Sequence, residues 1–221
     1  MIRLTCNDIK QIFIDKYKNE EFVIDKTGVK TVEILSANFL ADEATILDRA
    51  PNEEYIEKEL SWYNSQSTNI NDIYGEERKP PKAWEYAADK HGNINSNYGK
   101  LIYSKQYFNQ FTSALMELHD NKDSRRAMMV YSRPSIWAEF NENGKSDFIC
   151  TLGNQFLIRD GKLDSIVFMR SNDVTFGFAN DRAWFKHVQE EAATILDIEP
   201  GNIYWNAGSL HVYERDFKWL K

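Results

Sequence analysis

The stretch FICTLGNQFLIRDGKLDSIVFMR, residues 148–170, reads as a β-hairpin. Its two runs, Phe148–Arg159 and Lys162–Arg170, are rich in apolar and β-branched side chains, and Asp160-Gly161 between them is a strong two-residue turn signal. Directly after it, SNDVTFGFAND (171–181) leads into residues 181–197, where Trp184, Val188, Ala192, Ile195 and Leu196 recur at helical spacing. Asn180 or Asp181 is the expected N-cap. Working outward, Ala127–Ser132 and Asn202–Tyr213 read as further strands, and Glu21–Leu40 as extended chain with Gly28 at a turn or bulge. Residues 6–19, behind Asn7 as cap, 53–63 and 106–119 carry helical stripes, while 64–97 is a long polar loop region with a short helical piece near Trp84. Strands and helices interleave without βαβ alternation, which predicts an α+β fold: a large, largely non-parallel sheet flanked by helices. No Pro/Gly/Ser linker divides the chain, so residues 1–221 are expected to form a single domain.

Composition narrows the function. With 13 Phe, 11 Tyr and 6 Trp the chain buries far too much aromatic surface to be a solvated coil. Its 27 basic and 34 acidic residues leave a net charge of −7, which repels a polyanion and argues against nucleic acid as partner. No run approaches the length of a membrane span, and Met1–Lys10 lacks the order of a signal peptide, so a cytoplasmic protein is expected. Cys6 and Cys150 are the only cysteines, and the four histidines show no metal-ligand spacing, so neither a disulfide framework nor a metal site is expected.

Four features carry chemistry, each with a plainer structural reading beside it. Cys150, at a strand end, is either a small core residue or a nucleophile, and a cationic neighbourhood would favour the second. Ser124-Arg125-Arg126, Arg170-Ser171 and Lys26 each place cations or hydroxyls where a phosphate monoester could be gripped, if they converge. Arg125 and Arg126, adjacent on a strand, point to opposite faces, so sharing one ligand needs irregular backbone or a second subunit. The 170–181 stretch is either a strand followed by a capped helix or a cluster of directional hydrogen-bonding groups around Gly177. Glu59 is either simply exposed or, if buried, a proton carrier with a raised pKa.

In order and spacing, Ser124-Arg-Arg126, Cys150, Arg170-Ser-Asn-Asp173, Phe178-Ala-Asn-Asp181 and Gly208-Ser-Leu-His-Val-Tyr213 resemble the thymidylate synthase superfamily. Lys26-Thr-Gly-Val-Lys-Thr31, Ser132-Arg-Pro-Ser135 and Arg170-Ser-Asn-Asp-Val174 resemble its branch of bacteriophage-type deoxycytidylate (dCMP) hydroxymethylases. The resemblance implies a large mixed sheet, homodimers packed sheet against sheet, and 5,10-methylenetetrahydrofolate as co-substrate with no metal. It implies that Cys150 adds to C6 of the pyrimidine, that Glu59 is the acid/base and water-ordering group, and that Tyr98 lies in the active site. Lys26, Arg170 and Ser171 would hold the 5′-phosphate together with Arg125 and Arg126 of the partner subunit. Asn172 would join the substrate-binding residues, and His211 and Tyr213 would bind the ribose 3′-hydroxyl. Trp84, Asp173 and Gly177 would line the folate site.

Asp181 bears on the base. Thymidylate synthases have asparagine at this position, suited to the uracil edge. A carboxylate accepts from the cytosine N4 amino group but would face uracil O4 acceptor to acceptor, a mispairing that a buried site discriminates strongly. The expected product is 5-hydroxymethyl-dCMP; a dUMP-modifying enzyme and a silent nucleotide-binding homologue are the alternatives. Two departures stand out. The sequence ends at Lys221, where thymidylate synthases continue into a tail that closes over folate, and Cys150-Thr-Leu-Gly-Asn-Gln155 differs from the hydroxymethylase branch.

Overall fold

Asp160 and Gly161 both take positive φ, 51° and 74°, the left-handed backbone that a tight hairpin connection demands. They join the strands predicted on either side. The structure, a computed structural model, describes residues 3–24 and 28–221. In chain order it forms α1 (Cys6–Lys18), β1 (Val23–Ile24), β2 (Lys30–Leu40), α2 (Glu53–Ser65), α3 (Lys82–Ala87), α4 (Tyr98–Tyr103) and α5 (Gln110–Asp120). There follow β3 (Met128–Val130), α6 (Ile136–Glu139), β4 (Thr151–Arg159), β5 (Lys162–Asp173), α7 (Gly177–Ile195) and β6 (Glu199–Tyr213). Strand order is β1-β2-β6-β5-β4-β3, with β1/β2 and β2/β6 antiparallel and β5/β6 parallel. The expected α+β class with a mixed sheet and flanking helices is what the chain adopts.

The chain divides into two compact units, Met1–Pro51 with Gln155–Lys221, and Asn52–Asn154. In the first, α7 supplies the crossover that a parallel β5/β6 pair requires, and packs on both strands. Phe178 and Phe185 meet Trp205 edge to face at 5.0 and 5.7 Å. All three are fully buried, which contributes on the order of 2 kcal/mol or more for each ring. Tyr17 of α1 and Phe22 close against Phe217 at 5.2 and 5.4 Å.

In the second unit, α2 and α4 touch so closely that a Cβ on Gly99 would lie 1.9 Å from the Tyr63 carbonyl oxygen. Gln110 of α5 protects the sheet edge. Its side-chain amide accepts from the Val130 N–H and donates to the Val130 carbonyl, at 2.7 and 2.8 Å, imitating a neighbouring strand.

Three local expectations are corrected. The cap of α1 is Thr5, not Asn7: Thr5 and Asp8 form a reciprocal capping box that satisfies two N–H groups at once. α7 begins at Gly177, so Asp181 lies inside the helix and caps nothing; burial of Phe178 and Ala179 pulls the first turn into the helix. The strand after Ser124-Arg125-Arg126 starts only at Met128, so both arginines sit on irregular backbone. Among the described residues no helix is long and apolar enough to cross a membrane.

Candidate active site

In the first unit the sheet register builds one row of polar side chains. The parallel β5/β6 pairing sets Ser171 against Ser209 and Asp173 against His211, and the antiparallel β2/β6 pairing sets Glu33 against His211. Ser209 donates its hydroxyl to Glu33 and lies 3.3 Å from His211 Nδ1. A hydroxyl that donates to a carboxylate keeps its oxygen to accept, which assigns the proton to His211 Nδ1 and leaves Nε2 as an acceptor. Burial holds the imidazole below its ordinary pKa, against the pull of Asp173 and Glu33, and so favours the neutral ring. Tyr213 packs edge to face on His211 at 4.9 Å.

At the end of β5, Asn172 is buried and donates its amide to Asp181 Oδ2 at 2.8 Å. Its Oδ1 is buried without a hydrogen-bond partner among the described residues. Asp173 accepts the backbone N–H groups of Thr175 and Phe176, both at 3.2 Å, which fixes the turn into α7. Burial raises the Asp173 pKa despite those bonds. Gly177 leaves room for this cluster: a Cβ there would stand 3.3 Å from Asn172 Nδ2 and 3.8 Å from Asp181 Oδ2. Arg170 is exposed and Ser171 half-buried on the same strand.

In the second unit, Glu59 is 5% exposed. It occupies the middle of a face of α2 that presents Tyr55, Glu59 and Tyr63 four residues apart. Tyr55 donates its hydroxyl to Glu59 Oε1, and the Trp84 ring N–H reaches Tyr55 Oη at 2.8 Å and Glu59 Oε1 at 3.1 Å. Burial pushes the Glu59 pKa up to about 7, with the two donors opposing it. The sequence alternatives for Glu59 thus resolve in favour of a buried carboxyl.

Tyr63 stacks on Tyr98 at 5.0 Å. Tyr98 in turn accepts the hydroxyl of Thr151 at 2.9 Å, the residue next to Cys150. On the other side of Cys150, buried Asp147 accepts the Ser96 hydroxyl and the backbone N–H of Asn95 and Ser96, at 2.5 and 2.9 Å. The cysteine therefore sits between two anchors that tie its segment to the start of α4. It is half-buried in a bend just before β4, and its thiol points to the Phe148 carbonyl at 3.9 Å.

The second unit thus bonds Trp84 to Glu59 and Tyr98 to Thr151, the neighbour of Cys150, and the first gathers Arg170, Ser171, Asn172, Asp173, Gly177, Asp181, His211 and Tyr213 around the ends of β5 and β6. Arg125 and Arg126 are exposed, and Arg126 pairs with Glu117 at 2.9 Å. Lys26 lies outside the described residues. Sequence reasoning missed Tyr55, Asp147 and Ser209. Tyr55 was legible only as a member of the apolar stripe of α2, although its spacing of four from Glu59 was a usable signal. Among the described residues no group of three or more His, Cys, Asp or Glu side chains is placed to hold a metal.

Residues 9–221 match the family described as thymidylate synthase. The deoxycytidylate 5-hydroxymethyltransferase of Enterobacteria phage T4 is 49% identical over 207 residues, covering 90% of this chain and 82% of that protein, and the phage T2 protein of the same name matches equally. A putative thymidylate synthase of Methanocaldococcus jannaschii is 32% identical over 120 residues, 54% of either chain. Among solved structures, thymidylate synthase from T4 phage superposes with a TM-score of 0.74 at 19% identity, covering 95% of this chain and 77% of that one, a likeness of fold.

Proposed function

The chain belongs to the thymidylate synthase family, and from that premise we propose that it is a deoxycytidylate 5-hydroxymethyltransferase, converting dCMP to 5-hydroxymethyl-dCMP. The observation that carries this reading is the Asn172–Asp181 pair. An amide that donates to one carboxylate oxygen fixes the orientation of Asp181, a group that as an anion only accepts. A cytosine N4 amino group satisfies such an acceptor, whereas uracil O4 opposes it. The similarity to the phage T4 enzyme supports the same substrate.

In this reading residues 1–221 work as a single catalytic domain. Cys150 Sγ forms a bond to C6, and the C5–C6 π electrons make C5 nucleophilic. The co-substrate, 5,10-methylenetetrahydrofolate, supplies a one-carbon unit at the oxidation level of formaldehyde. Glu59, titrating near neutrality, handles protons during this exchange and orders the water whose oxygen becomes the new hydroxyl. With tetrahydrofolate as the leaving group, loss of the C5 proton and departure of Cys150 restore the ring, so dCMP gains CH2O overall.

His211 Nε2 accepts the ribose 3′-hydroxyl beside Tyr213. Arg170 and Ser171 grip the phosphate with Lys26, and in a homodimer Arg125 and Arg126 reach it from the partner subunit. The residues present fit a folate. Trp84 is half-buried with its N–H already engaged, so what it offers a ligand is apolar ring surface for a flat heterocycle. Gly177 keeps the ground beside Asp173 clear of a side chain. The proposed place of action is the host-cell cytoplasm.

The test incubates the protein with dCMP or dUMP and methylenetetrahydrofolate and weighs the product. Gain of CH2O on dCMP is expected, with turnover abolished and dCMP binding kept in Cys150→Ser. Gain of CH2, or turnover of dUMP alone, overturns the proposal.

A further inference from the structure

Two groups meet at Glu59, and they are directional. The Trp84 N–H has only a hydrogen to give, and Tyr55 Oη receives it at 2.8 Å. An oxygen that accepts from Trp84 turns its own hydrogen elsewhere, and Glu59 Oε1 is where Tyr55 sends it. The same indole N–H also reaches Oε1 at 3.1 Å. Oε1 thus takes two donors, whereas no described protein group bonds Oε2.

A carboxyl oxygen already filled by two donors is a poor place for a proton, since its lone pairs are engaged and an O–H there would face the Tyr55 hydrogen. We propose that Tyr55 is a positioning residue: it pins Oε1 of Glu59 and assigns the exchangeable proton to Oε2. The inference rests on the reading of Glu59 as the acid/base group, and adds to it which oxygen works and what holds it.

The surroundings isolate this arrangement. Besides Tyr55, the groups bearing on Glu59 are Trp84 from α3 and, behind Tyr55, the ring of Tyr74 at 6.4 Å. From α4 the titratable neighbour on the α2 face is Tyr98, stacked on Tyr63. None of these is a cation, so the donors on Oε1 are what favour the carboxylate against its burial. Proton uptake forms an O–H bond at Oε2; proton release restores the anion that Tyr55 and Trp84 stabilise.

The experiment titrates Glu59 in the ligand-free protein by 13C NMR of labelled glutamate, assigned with Glu59→Gln, and measures dCMP turnover alongside. In Tyr55→Phe the Glu59 midpoint is expected at a pH about one higher, because a hydrogen bond to the charged form is gone. The kcat is expected to fall about ten- to a hundredfold with KM for dCMP within about twofold, the scale for losing one donor to a charged group. A packing role for Tyr55 would move neither midpoint nor pH profile, since the ring remains. Site-specific 3-fluorotyrosine at position 55, a stronger donor in the same bonds, is expected to lower the midpoint, and this holds even if the phenylalanine variant fails to fold. Unchanged midpoints overturn the proposal. Absence of dCMP turnover in the unmodified protein would instead sink the functional reading, and it is read in a separate assay.

Discussion

Asn172 Nδ2 donates to Asp181 Oδ2 at 2.8 Å, joining the end of β5 to the second turn of α7. The bond sets which way the carboxylate faces, and it leaves Asn172 Oδ1, buried, as an acceptor without a partner among the described residues. A carboxylate, which only accepts, suits an amino-bearing base edge. Replacing Asp181 by Asn supplies a donor that uracil O4 can use. The ratio of kcat/KM for dCMP over dUMP is expected to fall by at least about a hundredfold in Asp181→Asn. Steady-state rates with both nucleotides decide it, and a variant keeping its full cytosine preference would refute the pairing argument.

Glu59 makes a prediction about stability that needs no substrate. Its pKa is raised by burial from an ordinary 4.5 to about 7. The folded state therefore binds the proton more tightly than the unfolded chain. That contribution is complete below about pH 4.5 and is lost as the pH rises through 7. Glu59→Gln is neutral throughout and keeps an oxygen for Tyr55. Relative to the unmodified protein it is expected to gain stability between pH 5 and pH 8, approaching roughly 3 kcal/mol from the size of the shift. Urea unfolding at the two pH values measures it; a constant difference would show that Glu59 is not desolvated.

How much of this was written in the sequence depends on how local the cause is. The Asp160-Gly161 turn was legible because two adjacent residues that tolerate positive φ specify it alone. The start of α7 was not. A cap rule pointed to Asn180 and Asp181, but the helix begins four residues before Asp181, where Asp173 holds the two preceding N–H groups and Phe178 is drawn into the core. Capping preference was overridden by burial. α4 was missed because six residues carry too little periodicity, although Asn97 caps it through the Lys100 N–H. Among the candidate site residues, Cys150, Arg170 and Asp181 stood out by type and spacing. Tyr55 and Asp147 did not, because a tyrosine on an apolar stripe and an aspartate in a loop gain meaning only from the partners that folding brings to them.

Gly99 ties helix packing to the segment of Cys150, the proposed nucleophile. Its Cα lies where α4 crosses α2, and any side chain there meets the Tyr63 backbone at 1.9 Å. Backbone cannot swing aside as a side-chain tip can, so Gly99→Ala is expected to destabilise the protein by about 2 kcal/mol or more. In whatever fraction folds, α4 must shift. Tyr98 goes with it and loosens its hold on Thr151 beside Cys150. The expected outcome is a lowered denaturation midpoint together with reduced turnover. A variant of unchanged midpoint would mean that the two helices have room the structure does not show.

Gly177→Ala tests the recognition cluster with the smallest change available. The backbone at Gly177 is ordinary helix, so alanine brings no conformational strain and adds helix propensity. Its methyl would stand 3.3 Å from Asn172 Nδ2, tighter than normal contact, and 3.8 Å from Asp181 Oδ2. The Asn172 side chain, whose Oδ1 has no partner among the described residues, is the group that gives way. Stability is therefore expected to change by less than about 1 kcal/mol, while the 2.8 Å bond to Asp181 lengthens and base discrimination weakens several-fold. Thermal unfolding and the dCMP-to-dUMP rate ratio, measured on the same preparation, separate the two effects. Loss of stability with discrimination intact would show that Asn172 does not set the orientation of Asp181.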